Sequence, residues 1–169
     1  MYDLIILLFD ICRFKKGPED LPYSLSLLKI TVAAFAVVRV LMHYRGGNLL
    51  GAILETGAEI VYIGLFGGVM LHANRHLNRY YQVASALFGG YALIGFLALP
   101  AVAAWVAGQP GGLAFILLIG IAAWLCAVTA HIVYHALSPN LFMSLGWALV
   151  FLVGFVLMAM SFGDVNSLG

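Results

Sequence analysis

Apolar residues run in five long stretches, roughly Leu25–Met42, Leu49–Leu71, Val83–Val106, Leu113–Leu137 and Leu141–Phe162, parted by short polar breaks. At about 1.5 Å of rise per residue each is long enough to cross the roughly 30 Å hydrocarbon core of a bilayer. The pattern therefore predicts five transmembrane helices. A shorter apolar run, Met1–Phe14, comes first and is interrupted by Asp3 and Asp10. With Arg13 these two aspartates share one side of a helix, whereas Leu4, Leu7, Leu8, Ile11 and Cys12 lie largely elsewhere, and Lys15 and Lys16 follow. No small-residue cleavage site follows, so the segment reads as an amphipathic helix lying in the membrane interface over 1–16 and not as a signal peptide. Gly17-Pro18 and Pro22 end it, because proline cannot continue the helical hydrogen-bond ladder. The expected fold is all-α: one polytopic membrane domain over 1–169, with five transmembrane helices behind an N-terminal interfacial helix.

The breaks Arg45-Gly46-Gly47-Asn48, Gly108-Gln109-Pro110-Gly111-Gly112 and Ser138-Pro139-Asn140 carry residues that end helices and permit tight reversals. Such short connections make successive helices antiparallel neighbours. Tyr23, Tyr44, Tyr80, Tyr81 and Trp105 fall near the expected boundaries, as an interfacial aromatic belt requires, and Trp124 and Trp147 fall deeper, as packing residues. Gly64-x-x-x-Gly68 and Ala86-x-x-x-Gly90 are spaced for close helix contact, within the bundle or across a dimer.

Composition excludes a soluble domain: 64% of residues are hydrophobic and 9% charged, against about 25% charged in ordinary soluble chains. The net charge of +1 leaves no basic stripe for nucleic acid. Cys12 and Cys126 form no CxxC motif and read as reduced, structural thiols. Arg13, Lys15, Lys16, Lys29, Arg75 and Arg79 fall on one side of the five-span layout, and Arg39 and Arg45 on or near the other. The positive-inside rule then puts the N-terminus in the cytoplasm and the C-terminus outside.

Three intramembrane polar residues are candidates for function. Glu55 and Glu59 stand one turn apart in the second span, where a carboxylate needs a partner, a proton or water. Positions 39 and 55 are symmetric about Gly47, so an Arg39–Glu55 ion pair across the first hairpin is expected, leaving Glu59 without an obvious partner and as the functional candidate. Paired carboxylates also fit a proton relay. On the cytoplasmic side His72, Arg75, His76 and Arg79 recur at i, i+3, i+4 and i+7, which puts them on one face of a helical extension of the second span. His131 and His135 come down to the same side. Together they suit an anionic lipid headgroup, a phosphate-bearing ligand or a docking partner. The i, i+4 histidine pairs raise haem or metal as a minor alternative, but cysteine and carboxylate co-ligands are missing nearby in sequence, so no cofactor or metal is expected. No GxSxG, HExxH or glycine-rich phosphate loop occurs, so no catalytic residue is assigned.

The segments Arg79-Tyr80-Tyr81-Gln82-Val83-Ala84-Ser85-Ala86-Leu87-Phe88-Gly89 and Ala130-His131-Ile132-Val133-Tyr134-His135-Ala136-Leu137, with Leu99-Pro100 and Gly17-Pro18-Glu19-Asp20-Leu21-Pro22, resemble a group of small proteobacterial inner-membrane proteins with a Yip1-like five-helix layout. The resemblance implies a bacterial inner-membrane location and leans toward a non-enzymatic role through partner proteins. It assigns no site. The expected function is that of an accessory, assembly or membrane-organising subunit, acting through the cytoplasmic His/Arg face on membrane lipids, including anionic lipid, and on a membrane-protein partner or a second copy. The alternative from another class is a small proton-coupled transporter or channel using Glu59 and Glu55.

Overall fold

The computed structural model describes residues 2–44, 48–106, 111–137 and 141–166, and among these every regular element is helical. The expected turns at 45–47, 107–110 and 138–140, and the side chains of Asp3 and Trp105, lie outside the described residues. Six α-helices follow in order: α1 Tyr2–Cys12, α2 Leu25–His43, α3 Leu49–Ala73, α4 Tyr80–Val106, α5 Gly112–Leu137 and α6 Leu141–Asn166. Four of them, α2 to α5, are long and apolar enough to cross a membrane. In α6 the apolar stretch among the described residues is shorter, Phe142–Met158.

Local chemistry sets the helix ends. Ser24 caps α2 by accepting from the Leu27 amide, and Asn48 caps α3 through its side-chain oxygen, 2.9 Å from the Gly51 amide. Both α1 and α3 end in the same six-residue device. The amide of Lys15 reaches the Asp10 carbonyl and that of Phe14 the Ile11 carbonyl; in α3, His76 reaches Leu71 and Arg75 reaches His72. The residue at the turn of this motif must adopt a left-handed backbone, normally glycine's role. Here it is Phe14, at φ 63°, and Arg75, at φ 60°.

Helix α4 is the axis of the molecule. Its residues Val83 to Ala92 are all buried, because α1, α2, α3 and α5 pack around it. Small side chains make this possible. Leu8 of α1 lies over Gly89, and Cys12 lies beside Gly90 together with Val128 of α5. Gly64, Gly67 and Gly68 of α3 receive the Tyr80 side chain, whose hydroxyl donates to the Gly64 carbonyl at 3.3 Å. The small-residue spacings are thus used within this chain. An aromatic cluster of Tyr62, Phe66, Tyr91, Trp147, Phe151 and Phe155 joins α3, α4 and α6.

The N-terminal helix packs tightly against the bundle. Leu8, Ile11 and Cys12 are buried, and Trp124 of α5 donates its indole N–H to the Cys12 carbonyl at 2.9 Å. Gly89 lies nine residues into α4, about 14 Å along its axis from Tyr80. The contact is thus well inside the bundle. Burial pushes the Cys12 thiol up to about 11, which leaves it almost free of reactive thiolate at neutral pH.

Candidate functional site

Two polar clusters flank α3, one against its N-terminal half and one just past its C-terminal end. The first lies between α2 and α3, near the hairpin that joins them. Glu59 is completely buried, and the Arg39 guanidinium meets it with two nitrogens, Nε on Oε2 and Nη2 on Oε1. His43, one turn along from Arg39, places Nε2 3.2 Å from Glu59 Oε1 and Nδ1 3.2 Å from Glu55 Oε1. The four side chains form one chain of contacts, Arg39 to Glu59 to His43 to Glu55. Arg39 also lies over aromatic faces, 5.3 Å from the Phe155 ring centroid and 6.0 Å from that of Phe35, which adds cation–π attraction.

This arrangement corrects the pairing expected from sequence. Arg39 pairs with Glu59, Glu55 pairs with His43, and Glu59 is the best partnered carboxylate of the set. The reason lies in helix geometry. Each Cα–Cβ bond leans toward the N-terminus of its own helix. Across an antiparallel hairpin, side chains starting at equal height therefore lean apart along the axis, and the true partner sits farther from the turn. Pairs 39/59 and 43/55 are both symmetric about position 49, not about Gly47. A long arginine reaches such an offset partner easily. Two charges placed in hydrocarbon are tolerable when they neutralise each other with bidentate geometry. Removing one partner of such a pair costs about 3–5 kcal/mol.

The second cluster lies where α3 gives way to α4. The expected continuous helical extension is absent: α3 stops at Ala73, Arg75 takes the left-handed conformation, and a single 3-10 turn, Leu77–Arg79, leads into α4. The reversal folds His72, Arg75 and His76 around a shallow cup of about 430 Å³, completed by Leu77 and Asn78. Among the described residues no carboxylate lines it. The fourth residue of the expected set, Arg79, turns away, and its Nη1 donates to the His135 carbonyl at 3.4 Å.

His131 and His135 are committed to the N-terminal segment. His131 Nε2 donates to the Lys16 carbonyl at 2.9 Å and its ring meets Phe14 edge-on, while His135 Nδ1 is 2.7 Å from Glu19 Oε1. Gln82 holds the same segment by donating to the Leu21 carbonyl at 2.7 Å. The basic residues expected to share one pocket thus divide into a cup and a clamp, with Arg79 between them. Among the described residues no group of three or more histidine, cysteine, aspartate or glutamate side chains is placed to hold a metal ion.

Sequence reasoning missed His43. The signal was present: His43 follows Arg39 by one turn, as Glu59 follows Glu55, so an antiparallel hairpin can match two cationic or imidazole positions to two carboxylates. Comparison with protein-family models, with curated proteins and with solved structures finds no match for this chain.

Proposed function

We propose that this protein is a non-enzymatic polytopic subunit of a bacterial cytoplasmic membrane that assembles with or organises other membrane components through its His/Arg end. In this reading α2 to α6 cross the bilayer, with the N-terminus in the cytoplasm and the C-terminus outside, as the distribution of Lys and Arg favours. The cup binds the phosphate of anionic lipid headgroups and presents that lipid, with the surrounding basic residues, to a membrane-protein partner or a second copy.

The observation that carries this reading is Arg75. A left-handed backbone costs a side-chain-bearing residue about 1–2 kcal/mol, a cost that Phe14 also bears at the end of α1. At Arg75 it points a guanidinium into a cup with two imidazoles and, among the described residues, no lining carboxylate. Each basic side chain near an anionic surface contributes about 1 kcal/mol of attraction. The proton-coupled alternative is less favoured, because both carboxylates it needs are engaged with Arg39 and His43; we read that network as a clasp on the α2–α3 hairpin.

Substituting Arg75 with glycine separates the two roles of this position. In nanodiscs, Arg75→Gly should unfold at a higher temperature than the wild type, because the backbone strain is relieved, yet retain fewer phosphatidylglycerol or cardiolipin molecules by native mass spectrometry. Unchanged retention of anionic lipid would refute the cup as the contact.

A further inference from the structure

Beside the clasp, the bundle holds a cavity. It has a volume of about 160 Å³ and opens where α2, α4, α5 and α6 meet, lined by Arg39, Met42, Tyr91, Ala98, Leu125 and Phe155 among others. Small residues line it: Ala98 on α4 and Ala122 on α5 leave room that larger side chains would fill, whereas Gly95 lets α2 approach through Val38 and Met42. Ala122 at its rim is exposed on the surface of the bundle, so a molecule dissolved in lipid has a way in.

Its polar equipment is sparse and directional. Tyr91 is spent on Thr129, 2.8 Å away, and Thr129 in turn donates to the Leu125 carbonyl. Arg39 uses Nε and Nη2 on Glu59, but its Nη1 meets only the Met42 sulfur among the described residues, at 3.7 Å. Sulfur is a weak acceptor. A donor edge of a partly buried guanidinium therefore borders a mostly apolar hole, with the Phe155 ring beside it. Arg39 is set against two carboxylates in the same network, so no surplus positive charge is left to draw in an anion. A neutral acceptor suits the site better. An apolar cavity of about 150 Å³ accommodates one benzene-sized ring.

We infer that this cavity is a binding site for a neutral, lipid-soluble ring compound carrying a carbonyl acceptor, the quinone class, with the ring among Tyr91, Leu125 and Phe155 and the carbonyl on Arg39 Nη1. The tail leaves past Ala122 into the bilayer. The site is independent of the basic cup and of any lipid bound there.

The test uses the full chain in phosphatidylcholine nanodiscs and two probes with the same tail, a decyl-substituted benzoquinone and decylbenzene, which lacks the carbonyls. The quinone should bind saturably at one per chain and at least tenfold more tightly than decylbenzene. Ala98→Phe, which fills the cavity, should abolish the saturable phase with helical content unchanged. Equal binding of the two probes, or quinone binding unchanged by a folded Ala98→Phe protein, would overturn the assignment. Should that variant fail to fold, the comparison of probes on the unaltered protein decides alone.

Discussion

Arg39 and Arg75 each stand beside histidines, one against the N-terminal half of α3 and one just past its Ala73 end, and they live in opposite electrostatic circumstances. Arg39 is matched by Glu59 through a two-pronged contact inside the bundle, and His43 links that pair to Glu55. Among the described residues Arg75 has no carboxylate in its cup, and it opens to the surroundings. The difference is one of compensation. Charges balanced within the chain hold helices together and have little left to offer a charged partner, whereas charges left unbalanced at a surface are available to something outside. In a chain with only eight Lys and Arg residues this division assigns most of the polar chemistry.

Breaking the balanced end should give the largest effect. Glu59→Ala strands a partly buried guanidinium beside an emptied buried site, and the expected loss is about 3 kcal/mol, seen as a collapse of the folded fraction in a detergent titration with denaturant. Replacing both partners, Arg39→Met with Glu59→Met, should recover most of that loss, because packed apolar residues substitute for a buried ion pair at little cost. A double variant no more stable than Glu59→Ala would contradict the clasp. Trp124→Phe should cost about 1 kcal/mol by removing the hydrogen bond to the Cys12 carbonyl. It should also raise maleimide labelling of Cys12 at pH 7.5, which burial otherwise suppresses.

At the unbalanced end stability should barely move or should improve. Arg75→Gly is expected to gain about 0.5–1 kcal/mol in thermal unfolding as the left-handed strain is relieved. Glu19→Gln, at an exposed pair with His135, should change stability by less than about 1 kcal/mol. Ser85→Ala makes a useful control inside the bundle. The Ser85 hydroxyl is buried without a hydrogen-bond partner among the described residues, so its removal should leave unfolding unchanged or slightly delayed.

The apolar runs foretold where α2 to α6 lie along the chain, because polar breaks interrupt them, and four of them, α2 to α5, are long and apolar enough to cross a membrane. The hairpin register was harder to read. Symmetry about Gly47 ignores the lean of side chains toward each helix's own N-terminus, and that lean selects Glu59 over Glu55 for Arg39. The α3–α4 break was hidden for a different reason: the left-handed residue is arginine, not glycine, so the i, i+3, i+4, i+7 spacing of His72, Arg75, His76 and Arg79 looked like a continuous helix. The docking of α1 depends on Leu8 meeting Gly89 and Cys12 meeting Gly90 across a long stretch of chain, and nothing in the local pattern around either announces it.

The contrast between the two ends is tested most directly by native mass spectrometry of lipid retention on three proteins in the same phosphatidylglycerol-containing nanodiscs: the unaltered chain, a His72→Gln, Arg75→Gln, His76→Gln variant, and the Arg39→Met, Glu59→Met variant. Retention of anionic lipid should be lost only when the cup is altered and kept when the clasp is replaced. Retention lost with the clasp and preserved without the cup would contradict the account.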